Sequence, residues 1–252
     1  MNIYRCTLTL MEATFFSSRE VSTLYQTEPL FGNYALAYAL KFCQSGYFND
    51  GSISYGRDLS QVNDRGIYLT PATFSQSPRF LLRTFNVQTD GYWSAYGAGV
   101  IAARTPYGWS EKDGQHWYQV EPDGSKRRQN ATNRPQIGRM RMLAAENIAV
   151  FYILSRDLIH IPSYIRLGKF MSKARVISQA VRFEVRSAET VEVPIFLNPA
   201  DLPPDAQLGG FDMVNVPPTP LIRNAQITGA FYHIGSDRLS LPQGMRFNVD
   251  KL

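Results

Sequence analysis

Apolar and polar positions alternate at the start of the chain and predict a strand in a sheet. From residue 2 to residue 10 the even positions carry Tyr4, Cys6, Leu8 and Leu10, and the odd positions carry Ile3, Arg5 and Thr7. Alternation with β-branched and aromatic residues is typical of a half-buried strand. A near-continuous apolar run at residues 147–155 predicts a second strand, buried at the centre of the sheet.

Helical spacing is limited to short segments. Residues 27–29 supply a capping residue, an acid and a first-turn proline, and apolar residues then recur at helical spacing, which predicts a helix over residues 30–42. A short helix is also predicted from Pro162 to Gly168. The segment 46–58 is rich in Gly, Asn, Asp and Ser, so we expect a loop there.

Further strands are predicted along the rest of the chain, at residues 66–70, 80–85, 174–186, 211–216 and 227–234. Between residues 91 and 141 the composition changes, since all three tryptophans and many glycines fall there. Alternation at residues 115–120 followed by the turn residues 121–124 predicts a β-hairpin. We call residues 91–141 the thumb and predict one α+β domain over residues 1–252, with the thumb as an insertion.

Composition indicates a globular protein. Of the 252 residues, 44% are apolar and 19% are charged, which excludes a disordered chain. The longest apolar run, residues 148–154, is far shorter than the roughly 20 residues that cross a bilayer. The first residues have no secretory pattern, so a soluble, cytoplasmic protein is expected.

The net charge of +5 is concentrated in two segments that contain no acidic residue. Residues 124–145 contain six basic residues, which are Lys126, Arg127, Arg128, Arg134, Arg139 and Arg141. Residues 162–183 contain five, which are Arg166, Lys169, Lys173, Arg175 and Arg182. The rest of the chain is net acidic, a distribution that favours binding of a polyanion at defined places. The alternative for each segment is an ordinary solvated surface.

No residue pattern points to a metal, a cofactor or a catalytic centre. Cys6 and Cys43 form no metal-binding pair, and His116, His160 and His233 lie in separate segments without ligand spacing. Phosphate-binding loops and hydrolase motifs are missing from the sequence. We therefore expect no cofactor and no enzymatic activity.

Residues 164–175 have the composition of an RNA-binding element. Gly168 allows close backbone approach to a ligand, and basic residues recur every two to four positions, as Arg166, Lys169, Lys173 and Arg175. Tyr164 and Phe170 are candidates for stacking on bases. The alternative is that the apolar residues here, Phe170 among them, simply face the core.

Five segments resemble a known family. They are FFSSRE (15–20), NYALAYAL (33–40), RLGKFMSK (166–173), NPADLP (198–203) and PPTPLI (217–222). On these segments the chain resembles the Cas-five-type subunit of type I-D CRISPR effectors, the Csc-one family of the RAMP superfamily. The resemblance covers most of the chain.

The resemblance implies a ferredoxin-like, RNA-recognition-type domain with a β-hairpin thumb. It implies a non-catalytic subunit that caps the 5′ handle of the crRNA and contacts the first backbone subunit and the large subunit. By motif match, Gly168, Lys169 and Lys173 would contact the handle, with Arg19 as a further candidate. Lys126, Arg127, Arg128, Arg139 and Arg141 are added on charge alone.

Two alternatives remain open at this stage. A relative in another CRISPR subtype is a metal-independent endoribonuclease that processes precursor crRNA, and this chain contains the Tyr, Lys and His types that such chemistry needs. The other is a basic protein that binds RNA or DNA outside any guide complex. The sequence also leaves open whether the chain touches target DNA near the protospacer-adjacent motif.

Overall fold

The structure, a computed structural model, describes residues 1–21, 24–44, 55–86, 92–95, 100–105, 108–113, 116–129 and 137–249. The chain forms two compact units. The first contains residues 1–21, 25–81 and 141–252, and the second contains residues 22–24 and 82–140. None of the helices in the described ranges has the length and apolar content that crossing a bilayer requires.

The elements up to the end of the second unit are β1 (Asn2–Leu10), β2 (Arg19–Val21), β3 (Leu24–Gln26), β4 (Leu30–Phe31), α1 (Asn33–Ala39), α2 (Tyr55–Asp64), β5 (Ile67–Leu69), β6 (Ala72–Phe74), β7 (Phe80–Asn86), β8 (Tyr92–Ala95), β9 (Val100–Thr105), β10 (Gly108–Asp113), β11 (His116–Val120), β12 (Lys126–Gln129) and β13 (Ile137–Leu143). The remaining elements are β14 (Ile148–Ser155), β15 (Tyr164–Leu167), β16 (Ser172–Val181), β17 (Glu184–Val193), a 3-10 turn (Pro199–Asp201), β18 (Gln207–Leu208), β19 (Asp212–Val214), β20 (Leu221–Arg223), β21 (Ala225–Ile234) and β22 (Leu239–Pro242).

The main sheet of the first unit has seven strands in the order β15-β16-β1-β14-β6-β4, with β5 also paired to β14. The first strand lies inside this sheet because it pairs with β14 on one side and β16 on the other, both antiparallel. Leu8, for example, lies opposite Ala149 on β14 and Val176 on β16. The predictions of an N-terminal strand and a buried strand at residues 147–155 are confirmed.

The two faces of this sheet differ in chemistry. Leu10, Ala174 and Ile165 lie side by side on β1, β16 and β15 and are buried. α1 packs against β15 and β5, and its buried Leu36 belongs to the same apolar core. The adjacent row on the opposite face, Thr9, Arg175 and Tyr164, is half-buried or exposed, so polar and basic side chains reach solvent there.

The C-terminal part of the chain forms a second sheet in the first unit. Its order is β17-β21-β18, with β22 paired to β21. The turn after β21 is joined to the main sheet through Asp237, which accepts a hydrogen bond from Tyr152 and forms an ion pair with Arg5 at 3.3 Å. The predicted strands near residues 211–216 and 227–234 correspond to β19 and β21.

The predicted helix over residues 30–42 is too long at both ends. Leu30 and Phe31 instead form a short strand opposite Ala72 and Thr73. Gly32 is the N-cap and α1 runs only from Asn33 to Ala39. The apolar spacing that predicts a helix here is also satisfied by a short strand followed by a helix: Phe31 packs in the same core as α1, and Leu30 packs in a separate cluster with Phe196.

The loop predicted over residues 46–58 is wrong at residues 55–58, the part of this range that the structure describes. Residues 46–54 lie outside the described residues, and Tyr55–Asp64 forms α2. Its polar composition masks an amphipathic pattern, because Leu59 and Val62 are buried on one side while most of the other positions reach solvent.

The predicted helix from Pro162 to Gly168 is wrong, and a strand takes its place. Residues 164–167 alternate between exposed and buried, which is the period of a strand rather than a helix. They pair with the start of β16. The single strand predicted over residues 174–186 is two strands, since β16 ends at Val181 and β17 begins at Glu184.

The second unit contains a five-stranded sheet in the order β12-β11-β10-β9-β8. The hairpin predicted after residue 115 is present, with Val120 on β11 opposite Lys126 on β12. Its turn is closed by a hydrogen bond of 2.9 Å from the Glu121 amide to the Ser125 carbonyl. Gly124 in this turn has a φ of +84°, a backbone conformation that glycine adopts without strain.

Candidate nucleic-acid interface

A tight turn joins β15 to β16 and presents the basic segment that the sequence singles out. Arg166 lies opposite Lys173 and Leu167 opposite Ser172, so four residues remain in the connection. Gly168 has a φ of +74° and Met171 a φ of +52°, and the Met171 amide donates to the Gly168 carbonyl at 3.1 Å. The predicted tight junction at Gly168 is therefore a hairpin turn.

Gly168 touches the chain that follows β1. A Cβ atom at this position would lie 2.5 Å from the Phe15 carbonyl oxygen, a distance that real Cβ contacts do not reach. That same carbonyl accepts a hydrogen bond of 2.9 Å from the Lys169 amide. The turn is therefore fixed against residues 14–15, and only glycine fits at the contact.

Basic side chains share the outer face of this hairpin. Arg166 and Arg175 are exposed and Lys173 is half-buried, whereas their neighbours Leu167 and Ala174 point into the core. The alternation of the strands thus places three positive charges on the solvent side of two adjacent strands. Lys169 adds a fourth charge from the turn.

These cations are only lightly neutralised. The Arg166 guanidinium donates to the Met171 carbonyl at 3.1 Å and lies 3.8 Å from the Glu12 carboxylate. The Lys173 ammonium stands 4.5 Å from the ring centroid of Tyr164. Within the described part of the chain, Lys169 has no acidic partner within ion-pair distance. The hairpin therefore retains positive charge that is free to meet a phosphate.

Two aromatic rings accompany these charges. Tyr164 is 52% exposed on the outer face of β15, and Phe170 is 57% exposed in the turn. One face of the Phe170 ring stacks on Phe15, with centroids 5.6 Å apart and an angle of 22° between the planes. The rest of the ring is exposed and leaves surface available for stacking.

Arg19 lies on β2, beyond the segment that contacts the turn. Its guanidinium forms an ion pair of 3.3 Å with Glu28. The Glu28 amide in turn donates to the Ser18 hydroxyl at 3.2 Å. Arg19 is therefore a partly neutralised surface cation rather than a member of the hairpin.

A cavity of about 260 Å³ lies among the motif segments. Four of the five motifs contribute to its lining: Phe16, Ser17 and Ser18 from the first, Asn33, Tyr34, Ala35 and Tyr38 from the second, Lys169 from the third, and Pro217, Pro218, Thr219 and Leu221 from the fifth. Tyr55 of α2 completes the aromatic part of the lining. Residues that are far apart in sequence thus meet in one place.

The remaining motif, residues 198–203, contains Asp201, which holds a residue of the cavity lining in place from within the core. Asp201 is 1% exposed and accepts hydrogen bonds from the Asn33 amide at 2.7 Å and from the Tyr68 hydroxyl at 3.2 Å. The backbone amide of Asn248 donates to its other oxygen at 2.9 Å. Burial raises the pKa of Asp201 to about 6, against the opposing effect of these donors.

The tyrosines around the cavity are neutral at physiological pH. Burial, followed by the nearby Asp201 charge, raises the pKa of Tyr34 to about 12. Burial and a hydrogen bond to Asp58 raise the pKa of Tyr38, and burial raises the pKa of Tyr55. Of the described residues that line the cavity, Lys169 alone is charged.

The first basic segment is divided between the two units. Lys126, Arg127, Arg128 and Arg139 belong to the second unit, and Arg141 belongs to the first. Lys126 pairs with Glu111 at 3.2 Å, Arg139 is exposed on β13, and the Arg141 guanidinium lies 3.7 Å from the ring centroid of Phe80. The side chains of Arg127 and Arg128 lie outside the described part of the structure.

The cavity was not predicted from the sequence. The aromatic residues of α1 were expected to serve core packing, and neither Tyr55 nor the Pro217-Pro218 pair was expected at a site. A usable signal was the surplus of aromatic residues, Tyr34 and Tyr38, on a helix of only seven residues.

The histidines and acids show no catalytic grouping in the described ranges. His233 exchanges a hydrogen bond of 3.1 Å with Ser240, and His160 is exposed. The side chain of His116 is not among those described. In the same ranges, no three His, Cys, Asp or Glu side chains are grouped so that they could hold a metal ion.

Comparisons with known proteins give one family match. The model of the family described as "Type I-D CRISPR-associated protein Cas5/Csc1" matches residues 1–250. One solved structure similar to the chain is a cryo-EM structure of the Type III-B Cmr-beta bound to cognate target RNA and AMPPnP, with 12% identity, a TM-score of 0.35, and coverage of 89% of this chain and 86% of that chain. Comparison with curated proteins gives no match.

Proposed function

Because the chain belongs to the type I-D CRISPR-associated Cas5/Csc1 family, we propose that it is the non-catalytic effector subunit that caps the 5′ handle of the crRNA. The observation that carries this proposal is the β15–β16 hairpin. It presents four cations to solvent around a turn that requires glycine at position 168, and these cations are Arg166, Lys169, Lys173 and Arg175.

The hairpin has the chemistry that a single RNA strand requires. Basic groups spaced along two adjacent strands can neutralise successive phosphates, and this electrostatic contribution dominates nucleic-acid affinity. The exposed rings of Tyr164 and Phe170 offer stacking surfaces of the kind on which unpaired bases rest. Charge and aromatic surface together favour a single strand over a duplex, whose bases are already stacked.

The arrangement of the main sheet supports an RNA-recognition-type domain. Its helices pack on one face, and on the other face the row of Thr9, Arg175 and Tyr164 reaches solvent. In this class of domain an antiparallel sheet presents aromatic and basic side chains from its open face to RNA. We propose that the ferredoxin-like relationship lies here, in the strands around β1.

In this proposal the second unit is the thumb, and its hairpin β11–β12 reaches the neighbouring backbone subunit or the guide. Lys126, Arg127 and Arg128 lie together on the edge strand β12. The large subunit is the other expected neighbour. Contact with target DNA near the protospacer-adjacent motif would add a second nucleic acid to the same subunit.

The test is a double charge reversal, Lys169→Glu with Lys173→Glu, made in a complex co-expressed with the other type I-D subunits and a guide. We expect guide occupancy to fall at least about tenfold, since two attractions to phosphate become repulsions. The fold should persist, because neither side chain is buried and exposed charges contribute little to stability. The measurement is the RNA content of the purified complex.

A matched control makes the same change in net charge at two positions outside the hairpin. Arg182→Glu with Arg246→Glu alters two exposed cations, one of them in the same basic segment but beyond the hairpin. This variant should retain the guide. Unchanged RNA content in the folded hairpin variant, or equal loss in both variants, would contradict the proposed site.

A further inference from the structure

The cavity lined by Lys169 is the right size for one flat ring system. Its volume of about 260 Å³ is below the roughly 300–1,000 Å³ of sites for drug-sized ligands. Because Lys169 belongs both to the cavity lining and to the β15–β16 turn, the cavity borders the same basic hairpin. A ligand held by the hairpin is thus next to this space.

Apart from Lys169, the described residues that line the cavity are uncharged, and several of them contribute rings. Tyr55 packs against Tyr34 and Tyr38 with ring centroids 5.6 Å and 6.1 Å apart, and these phenols carry no charge at physiological pH. Pro217 and Pro218 add two compact pyrrolidine rings to the lining. Aromatic and proline faces of this kind accept a flat ring by stacking.

Polar groups in the lining fit the edge of a base rather than an apolar side chain. Within the described residues, the hydroxyls of Ser17, Tyr55 and Thr219 have no hydrogen-bond partner. An apolar side chain inserted from a partner protein would bury these hydroxyls unsatisfied, which is costly. A nucleobase offers donors and acceptors on its edge, and its phosphate can meet the Lys169 ammonium.

We propose that this cavity holds one unpaired nucleobase of the bound RNA strand, turned out of the strand, while the phosphate next to it lies at Lys169. This inference rests on the proposed function and adds to it a place where one position of the RNA can be distinguished from the others. The aromatic and proline walls supply stacking, and the hydroxyls of Ser17, Tyr55 and Thr219 contact the base edge.

The experiment uses the full chain and a set of short RNAs with the sequence of the guide handle, each carrying 2-aminopurine at a different position. Stacking on aromatic rings quenches this fluorophore, so we expect one position to lose several-fold more fluorescence than the others on binding. Filling the cavity with Ala35→Leu should abolish that difference and weaken binding at least about fivefold, the lower limit for loss of one stacked base.

Two further variants separate this effect from misfolding. Ala180→Leu makes the same change at an exposed strand position outside the cavity and should behave like the parent protein. Thr219→Val keeps the size of the side chain and removes one hydroxyl. RNA binding should persist, while the differences in affinity among the four bases at the quenched position should become smaller.

The outcomes are distinguishable. Equal quenching at all positions, with Ala35→Leu binding normally, would overturn the base pocket while leaving the proposed function intact if the double charge reversal still releases RNA. If the charge reversal also leaves RNA bound, the proposed function fails. Quenching by free 2-aminopurine ribonucleotide that the handle RNA does not displace would reassign the cavity to a small nucleotide and overturn this inference.

Discussion

At the scale of single residues, Gly168 is the position on which the candidate interface depends most. We expect Gly168→Ala to lower the free energy of unfolding by about 1–3 kcal/mol, the usual cost of a residue held in an unfavourable backbone conformation. RNA binding should fall as well, because the clash with the Phe15 carbonyl displaces the turn that carries Lys169. Urea unfolding and RNA titration of the same preparations measure both effects.

Two other glycines serve as controls for this substitution. In Gly210→Ala the added Cβ meets no atom within 4 Å, so the free energy of unfolding should not change. In Gly124→Ala the added Cβ has the same open space, but the backbone has a φ of +84°. Comparison of the three variants separates backbone strain from steric contact. A Gly168→Ala protein as stable as the Gly210→Ala protein would show that the close approach to Phe15 is not maintained in solution.

The raised pKa of Asp201 leads us to expect that the free energy of unfolding depends on pH. Its pKa is raised from 3.8 to about 6 in the folded chain, so between these values the folded state binds more protons than the unfolded state. The contribution of Asp201 to the free energy of unfolding therefore falls as pH rises through this window, by up to about 3 kcal/mol.

The variant Asp201→Asn removes this titration, and Asp205→Asn at an exposed position is the control. Relative to the parent protein, Asp201→Asn should gain stability between pH 4 and pH 7.5, as measured by urea unfolding at each pH. A constant difference between parent and variant over that range would mean that Asp201 does not titrate there.

How far the sequence predicts these residues depends on how local their role is. Gly168 sits among basic residues in one short segment, so its role in a tight junction could be inferred from the segment alone. Asp201 acquires its role from Asn33, Tyr68 and Asn248, which reach it from distant parts of the chain. A local pattern contains no information about such partners.

At the scale of elements, β12 carries a cluster of three cations in the thumb. The role of this charge can be tested by substitutions that leave the strand in place. Deletion of residues 124–133 would remove the whole strand, since β12 spans Lys126–Gln129. We instead predict that Lys126→Ser, Arg127→Ser and Arg128→Ser together leave a folded protein, because β12 is the edge of its sheet. Recovery of neighbouring subunits or of guide RNA in the purified complex should fall.

The control neutralises three cations outside the basic segments, Arg186, Arg223 and Arg238, again with serine. If both triple variants assemble equally well with guide and neighbouring subunits, the charge of β12 has no role in assembly. Aggregation of the β12 variant alone would indicate instead that this strand is needed for the fold of the second unit.

Strands with strict alternation or continuous apolar sequence were predictable, and mixed segments were not. β1 and β14 follow directly from their patterns because each is long and buried in the middle of a sheet. β15 has only four residues between Pro162 and Gly168, and these helix-boundary signals outweighed its alternation in the prediction. In the folded chain, pairing with β16 decides the conformation.

At the scale of the whole molecule, we expect the isolated protein to bind short RNA weakly and without cutting it. With Arg166, Lys169, Lys173 and Arg175 each meeting one phosphate, the slope of log K against log[salt] should be about −3 for a single strand. Affinity titrations at several salt concentrations measure this slope. A slope near zero would exclude phosphate contacts as the source of affinity.

Cleavage is not expected because acid–base catalysis requires groups within mutual reach, and His233 is hydrogen-bonded to Ser240 on a neighbouring strand. Labelled precursor RNA is incubated with the protein, with and without a chelator. Specific cutting that survives the chelator and is lost in His160→Ala or His116→Ala would favour the processing nuclease over the capping subunit.

The cavity shows why the site as a whole was harder to predict than its parts. The motif segments could be recognised singly, and the hairpin charges could be placed on one element. Their meeting around Lys169 depends on a sheet that joins β1 to β14 and β16 and on a tail that brings Pro217 and Pro218 beside α1. Such long-range pairing leaves no local trace in the sequence.

The position of β1 between two late strands also sets an order on synthesis. The ribosome makes β1 long before its two neighbours, because β14 and β16 are both complete only after residue 181 has been added. The last wall of the cavity, ending at Leu221, follows later still. A chain that has not reached these residues therefore has unpaired strand edges and no finished cavity, and on the proposed function we expect it to bind guide RNA only after residue 221 has been added.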